Sequence, residues 1–235
     1  MKNYAFIFAR GGSKGLPGKN IKKLAGKPLI CYSIDTALLS PSISQVFVST
    51  DDSSIADIAE SHGATIIDRP ASLAADDTPE WLAWRHAIQW VWNNYGEFDK
   101  FISLPATSPL RSKEDIELAI EKINNTNADM CIAVTPANRS PYFNMVKRNS
   151  KDYVDLVITP KGEVTRRQDA PEVFDITTVV YVSTPDFINK NFGLFSGNVV
   201  SIEVPKERAI DIDDIYDFNL AESIILSKKN EKPIE

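Results

Sequence analysis

Two clusters of charged side chains have the types and spacing to handle a polyphosphate. The first is FARGGSKGLPGKNIKKLAGKPL, residues 8 to 29, with five glycines, five lysines and one arginine directly after the apolar run YAFIFA. Gly11 and Gly12 leave room for backbone N–H groups to approach phosphate oxygens, while Arg10, Lys14 and Lys19 supply charge. Pro17 stiffens the loop, and Asn20 offers a donor and an acceptor to a base edge. The second cluster is AIDIDDIYD, where Asp211 and Asp213 alternate with Ile210 and Ile212, so that at a strand end both carboxylates face one way. Two hard oxygen ligands beside a polyphosphate describe a Mg²⁺ site of one or two ions, completed by water and phosphate. Asp214 and Asp217 suit the first turn of a following helix. Each cluster has a plain alternative: a solvated basic loop, and an acidic helix cap.

Two common phosphate loops do not fit. A dinucleotide loop spaces its glycines G-x-G-x-x-G, whereas here they fall at 11, 12, 15 and 18. A P-loop ending on Gly18-Lys19 needs glycine where Ser13 stands and a hydroxyl where Asn20 stands. There remains a loop that wraps a nucleoside triphosphate between a first strand and a first helix.

The elements that must carry these loops alternate. Short apolar runs predict strands at 4–9, 44–50, 64–68, 99–105, 129–135, 177–183 and 199–204. Helical period fits 28–39, 53–62, 79–94, 113–125 and 214–227, with Ser112 as a cap for the fourth. The alternation implies an α/β fold with a mainly parallel sheet, in one domain of residues 1–228. Residues 136–176, with four prolines, break the rhythm and read as an inserted arm or small lobe, suited to covering a ligand or binding a second copy. The end of the chain, KKNEKPIE, reads as a frayed tail, with 229–235 outside the domain. Trp81, Trp84 and Ile88 follow helical spacing and read as core, not as a stacking platform; His86 in that helix is structural.

The bulk numbers exclude several classes. A net charge of -6 speaks against a nucleic-acid polymer, although the first thirty residues carry six lysines, one arginine and no acid. No apolar stretch approaches the ~20 residues of a membrane span and no signal peptide is evident, so the expected location is the cytoplasm. Cys31 and Cys131 are far apart and read as buried, reduced thiols; neither has zinc-like spacing to His62 or His86.

The loop sequence ARGGSKGLPGKNI resembles the signature of the CMP-sugar synthetases, above all the acylneuraminate cytidylyltransferases. The resemblance continues in order through VSTDD (48–52), DRPASLAADDTPE (68–80), ATSPLR (106–111), RRQDAP (166–171) and AIDIDDIYDFNLAE (209–222). It implies a three-layer, Rossmann-like nucleotidyltransferase fold, a homodimer with a dimerisation arm, and transfer of CMP from CTP to the anomeric hydroxyl of a nonulosonic acid. Pyrophosphate leaves, and the CMP-sugar serves surface glycan synthesis such as lipopolysaccharide or capsule. By similarity Arg10, Lys14 and Lys19 hold the triphosphate and Asn20 with Arg69 reads the cytosine side, with help from the backbone near Ala74 and Ala75. The family's serine–aspartate stands here as Ala75-Asp76, and the resemblance counts both, with Gly11 and Gly12, among the nucleotide-binding residues. The resemblance makes Arg10, Lys19 and Asp211 the catalytic set and Asp211 with Asp213 the metal ligands.

Departures gather on the acceptor-sugar side. The sialic acid enzymes read LQPTSPLR where this chain reads LPATSPLR, so Pro105, followed by Ala106 and Thr107, replaces a sugar-contacting glutamine. Where they read R-x-N-G-x-x-Y, this chain has Asp175 for the arginine and Thr177-Thr178 for Asn-Gly. Arg167 and Gln168 are kept and suit the sugar carboxylate. These changes point away from N-acetylneuraminate and towards a legionaminic or pseudaminic type of acid. Asp175 would pair either with an amino-bearing sugar or with Arg166. Arg111 is either an internal ion-pair partner or faces the site. The alternatives are a CMP-Kdo or amino-Kdo synthetase, and a CTP-binding module without turnover.

Overall fold

Alternation along the first strand feeds two cores, one on each face of the sheet. In β1 (Asn3–Phe8), Ala5 and Ile7 enter one core and Tyr4 and Phe6 the other, as the period of two in an extended chain requires. The computed structural model describes residues 1–160, 162 and 164–230. After β1 come a hairpin, β2 (Lys23–Leu24) and β3 (Lys27–Pro28), then α1 (Leu29–Leu38), β4 (Gln45–Thr50), α2 (Ser53–Ser61), β5 (Thr65–Asp68), α3 (Glu80–Tyr95), β6 (Lys100–Ser103) and α4 (Lys113–Asn124). The remainder holds β7 (Met130–Pro136), the hairpin β8 (Val146–Arg148) and β9 (Val154–Leu156), β10 (Phe174–Ser183), α5 (Pro185–Lys190), β11 (Val199–Glu203) and α6 (Ile215–Asn230).

Seven strands form one sheet in the order β11-β7-β10-β6-β1-β4-β5. Neighbours are parallel except at β10, which runs against both β6 and β7. The expected mainly parallel α/β sheet forms, with one reversed strand. On one face α1, α2 and α4 bury Ile30, Ile34, Ile55, Ile116 and Ile120; on the other α3 buries Trp81, Trp84, Ile88 and Val91. Each such large side chain contributes about 1.5–3 kcal/mol on leaving water. The tryptophan stripe is therefore core, as its spacing predicts. Cys31 and Cys131 are free and buried, and burial pushes both thiols up to about 11. Among the described residues no helix is long and apolar enough to cross a membrane.

Some boundaries differ from the sequence reading. α5, six residues long, is too short to display a helical period; the Thr184 hydroxyl caps it by accepting from the Phe187 N–H at 3.2 Å. β7 ends at Pro136 and β10 begins at Phe174, so the ends of the expected arm belong to the sheet and the insertion is 137–173. Residues 228–230 continue α6 and are not tail, while 231–235 lie outside the described residues.

The sheet changes direction of growth at β1. From β1 the chain places β4 and β5 successively on one side, then returns to place β6 on the other. The loops leaving the C-terminal ends of β1 and β6 therefore flank a switch point, where open α/β sheets bind ligands.

Candidate active site

The loop leaving β1 is held from three sides. The Gly11 N–H donates to Asp51 Oδ1 at 3.1 Å, Asn20 Nδ2 to the Arg10 carbonyl at 3.0 Å, and Lys19 Nζ to the Ile212 carbonyl at 2.6 Å. Two glycines are demanded by contact: a Cβ on Gly11 would lie 2.6 Å from Asp52 Oδ2, and one on Gly15 2.3 Å from the Asp213 carbonyl oxygen. Two expectations change. The Gly11 N–H is occupied by a carboxylate and does not face an open phosphate cradle. Asn20, buried, uses its donor to brace the loop where a base-edge contact was expected.

The cations converge, but not on empty space. Asp76 lies 2.6 Å from both Arg10 Nη1 and Lys14 Nζ, and Arg10 Nη1 also donates to the Ala74 carbonyl at 3.3 Å. These bonds hold the Asp76 carboxyl below its ordinary range, Lys14 contributing most. In this structure Asp76 is the counter-ion of both cations. Arg69, at the end of β5, is buried; its Nε donates to Ser49 Oγ at 3.1 Å, its Nη2 to the Ser49 carbonyl, and it lies 5.6 Å over the Phe8 ring.

The acidic segment is pinned before it reaches α6. Arg208 makes a bidentate pair with buried Asp115 (3.0 and 2.8 Å), and the Ile212 N–H donates to the Thr107 carbonyl at 2.9 Å. No strand forms at 209–214, contrary to the sequence reading. Alternation nevertheless survives locally, because Ile212 is fully buried among Leu24, Leu29 and Phe218 and turns its neighbours outward. The two acids end in different surroundings: Asp211 is half-buried, whereas the Asp213 side chain is 82% exposed and lies 3.9 Å from Lys19 Nζ. Asp211 Oδ1 is buried without a hydrogen-bond partner. Burial raises the Asp211 carboxyl above its ordinary range; the Thr107 hydroxyl opposes this, the Asp213 charge adds to it, and the Thr178 hydroxyl opposes it. Asp214 and Asp217 cap α6 as expected, accepting from the N–H groups of residues 213, 214, 216 and 217.

The predicted sugar-side residues do not gather. Thr107 lines the cleft, but Ala106 is 2% exposed and belongs to the core, and the Pro105 carbonyl faces Ser33 and Arg111. Arg167 and Gln168 sit in a short turn on the arm, where Arg167 Nη2 donates to the Ala137 carbonyl at 2.7 Å beside a hollow of about 160 Å³. Asp175 lies opposite Thr135 in the sheet. None of these three lines the cleft within one chain. Arg166 pairs with Asp169 at 2.8 Å, so the suggested Asp175–Arg166 pair does not form. Arg111 is internal, bound to carbonyls and a hydroxyl, not to an acid.

Two adjoining compartments result. One, about 340 Å³, is bordered by Arg10, Lys14, Lys19, Thr107 and Asp213; the other, about 270 Å³, by Arg69, Ala75, Asp76 and Glu80. Phe8 and Arg10 line both. A larger hollow of about 600 Å³ between α4 and β11 lacks any such set of cations. Sequence reasoning missed Phe8, Thr178 and Glu80. The first was hidden as the last apolar residue of a strand, the second was noted only as a departure on the acceptor-sugar side, and the third lay in a helix start.

Comparison with known proteins agrees with this geometry. The sequence matches the family described as cytidylyltransferase over residues 4–196. It is 37% identical to the CMP-N,N'-diacetyllegionaminic acid synthase of Campylobacter jejuni, over 97% of this chain and 96% of that protein. It is 34% identical to the post-translational flagellin modification protein B of Campylobacter coli, over 94% of each. A solved CMP:2-keto-3-deoxy-manno-octonic acid synthetase complexed with CTP shares the fold, with a TM-score of 0.73 over 97% of this chain and 100% of that one at 16% identity.

Proposed function

The chain belongs to the cytidylyltransferase family, and from that premise we propose that it transfers CMP from CTP to a nonulosonic acid of the sialic type. The observation that carries the reading is the convergence of Arg10, Lys14 and Lys19 with Asp213 on one compartment at the switch point, where Lys19 also binds the Ile212 carbonyl next to Asp211. The anomeric hydroxyl oxygen of the sugar attacks the α-phosphorus. A new P–O bond forms as the bond to the pyrophosphate oxygen breaks, and the hydroxyl proton is released. The triphosphate is held in the compartment of Lys14 and Lys19, and the cytosine in that of Arg69 and Ala75. Catalysis then rests on positioning two anions and neutralising their charge.

The donor set suits Mg²⁺. Among the described residues no three His, Cys, Asp or Glu side chains gather into a cage, but Asp211 offers a buried oxygen with no partner and Asp213 an exposed one. A cation that keeps several waters and takes phosphate oxygens needs no more from the protein. Asp211 and Asp213 would hold it, and when bound it supplies charge neutralisation at the phosphates.

The acceptor we favour is a legionaminic or pseudaminic type of acid, and the 37% identity to a legionaminic acid synthase supports that choice. The Kdo-type alternative has only a likeness of fold behind it. We further propose a homodimer joined through the arm, which exposes Met145, Val146, Tyr153, Val154 and Ile158 on its hairpin. The reaction belongs in the cytoplasm, where CTP is available.

The test is pyrophosphate release with CTP and Mg²⁺ against N-acetylneuraminic, legionaminic and pseudaminic acids, Kdo and 8-amino-Kdo. A preference for the legionaminic or pseudaminic acid supports the reading. A preference for Kdo replaces it, and tight CTP binding without turnover on any acceptor makes the chain a binding module.

A further inference from the structure

One buried cation has no direct place in this chemistry. Arg111 is 4% exposed, and its guanidinium donates to the carbonyls of Val179 (2.6 Å), Pro105 (2.7 Å) and Thr178 (3.2 Å) and to Ser33 Oγ (2.6 Å). Asp115, an acid whose charge it feels, is already taken by Arg208. Burying a guanidinium costs heavily in desolvation unless its donors are satisfied, and here they are satisfied by carbonyls and a hydroxyl, with no carboxylate.

The carbonyls it gathers belong to two separate segments. Pro105 opens the turn after β6. Thr178 and Val179 lie in an irregularity of β10, whose register against β7 shifts between Thr177 and Tyr181. Both segments carry hydroxyls. Thr178 Oγ1 lies 2.6 Å from Ser108 Oγ, so the two segments are tied to each other directly, and the Thr107 and Thr178 side chains both favour the ionised Asp211 carboxyl. Thr107 also accepts the Ile212 N–H.

We propose that Arg111 is a positioning residue: by clasping the Pro105 and Thr178 carbonyls it fixes the turn after β6 against β10, and with it the Thr107 carbonyl that anchors the Ile212 N–H beside Asp211, so that Asp211 Oδ1 is held free for the cation. A planar fork of five donors reaches several carbonyls at once, whereas lysine offers a point charge on a flexible stem. The inference rests on Asp211 being a metal ligand, as proposed above.

The experiment is Mn²⁺ binding to the intact protein by electron paramagnetic resonance, with CTP present and no sugar acid. CTP binding without metal is measured alongside by calorimetry. Arg111→Met and Thr178→Val are each expected to weaken Mn²⁺ binding about 10-fold or more, as losing a partner of a metal ligand does, with metal-free CTP binding within about twofold. Arg111→Lys should fall between, and the double variant should be no weaker than Arg111→Met, because both act on one carboxylate. If Arg111→Met does not fold, Thr178→Val decides the matter, since its backbone carbonyl remains. Variants that melt at lower temperature yet bind Mn²⁺ like the parent would overturn the inference. A parent that takes up no Mn²⁺ with CTP would overturn the metal reading beneath it.

Discussion

Lys19 Nζ donates to the Ile212 carbonyl at 2.6 Å and lies 3.9 Å from Asp213 Oδ1, joining the loop after the first strand to a segment 193 residues away. Its side chain is only 14% exposed. The ammonium is thus fixed where the phosphate compartment meets the carboxylates. Lys19→Met should lower kcat/KM about 10²–10³-fold, equivalent to ~2.7–4 kcal/mol, the loss typical of one preorganised donor. Steady-state kinetics beside an unchanged circular dichroism spectrum checks this, and full turnover would remove Lys19 from the site.

Gly15 makes the same junction sterically. A methyl group there would sit 2.3 Å from the Asp213 carbonyl oxygen, so either the loop or the acidic segment must move. Gly15→Ala, which alters no charge, is expected to lower kcat at least about 10²-fold, the scale set by ~1 Å misplacements. Gly12 has nothing within 4 Å of its own added Cβ. Gly12→Ala adds the same methyl without meeting Asp213 and so reports on phosphate approach instead, while a Gly15→Ala variant that turns over like the parent would show that contact with Asp213 is not limiting.

On the proposed reading Asp76 competes with the phosphates for two cations. Its contacts with Arg10 and Lys14 must loosen when phosphates arrive, so Asp76→Asn should bind CTP several-fold more tightly at low salt, with the difference shrinking as salt screens it. The pH sign follows from its depressed pKa. The contact is complete above the ordinary carboxylate range and fades only as pH falls through the lowered value. Between about pH 6 and 8 Asp76 therefore adds no pH dependence. Weaker CTP binding in Asp76→Asn, measured by calorimetry, would instead make Asp76 a ligand of the nucleotide.

The sheet and five of its six helices were legible because burial on both faces writes long apolar runs and helical stripes into the sequence. The loop after β1 stood out because glycine and lysine are unusual at that density. What escaped depends on contacts between distant segments. Nothing near Gly11 foretells that its N–H meets Asp51, and nothing near Asp76 foretells that it meets Arg10 and Lys14. Asp211 and Asp213 were chosen on a strand that does not form; the buried Ile212 between them does the work assigned to pleating. Arg167 and Gln168 match their family counterparts and Asp175 replaces one, yet all three lie on or beside the arm and away from the cleft of their own chain.

The arm hairpin offers a test of the second copy. Val146 and Val154 are 58% and 56% exposed on β8 and β9, beside Tyr153 at 70%. A charge buried at an apolar interface is strongly unfavourable. Val154→Asp should therefore shift sedimentation from dimer to monomer while leaving the melting temperature of the sheet domain close to the parent's. A parent that sediments as a monomer would remove the homodimer from the proposal.

Asp211 ties stability to activity in opposite directions. Burial raises its folded pKa above the unfolded value, so the folded chain holds that proton more tightly. The stability gained from protonation is fully present below the unfolded pKa and is lost as pH rises through the folded one. At neutral pH the carboxylate is ionised in a half-buried place, with Asp213 adding like charge. Asp211→Asn removes that charge, so in metal-free buffer at pH 7 its melting temperature should lie above the parent's. The gap should close as pH falls and the parent's own carboxyl takes up its proton. Turnover should fall by about 10² or more, because the substituted amide is a poor partner for a hard cation. Thermal melts across pH, paired with pyrophosphate release, test both halves. A variant less stable than the parent at pH 7 would mean that Asp211 is held by hydrogen bonds worth more than its burial costs, and that its place in the fold is structural before it is functional.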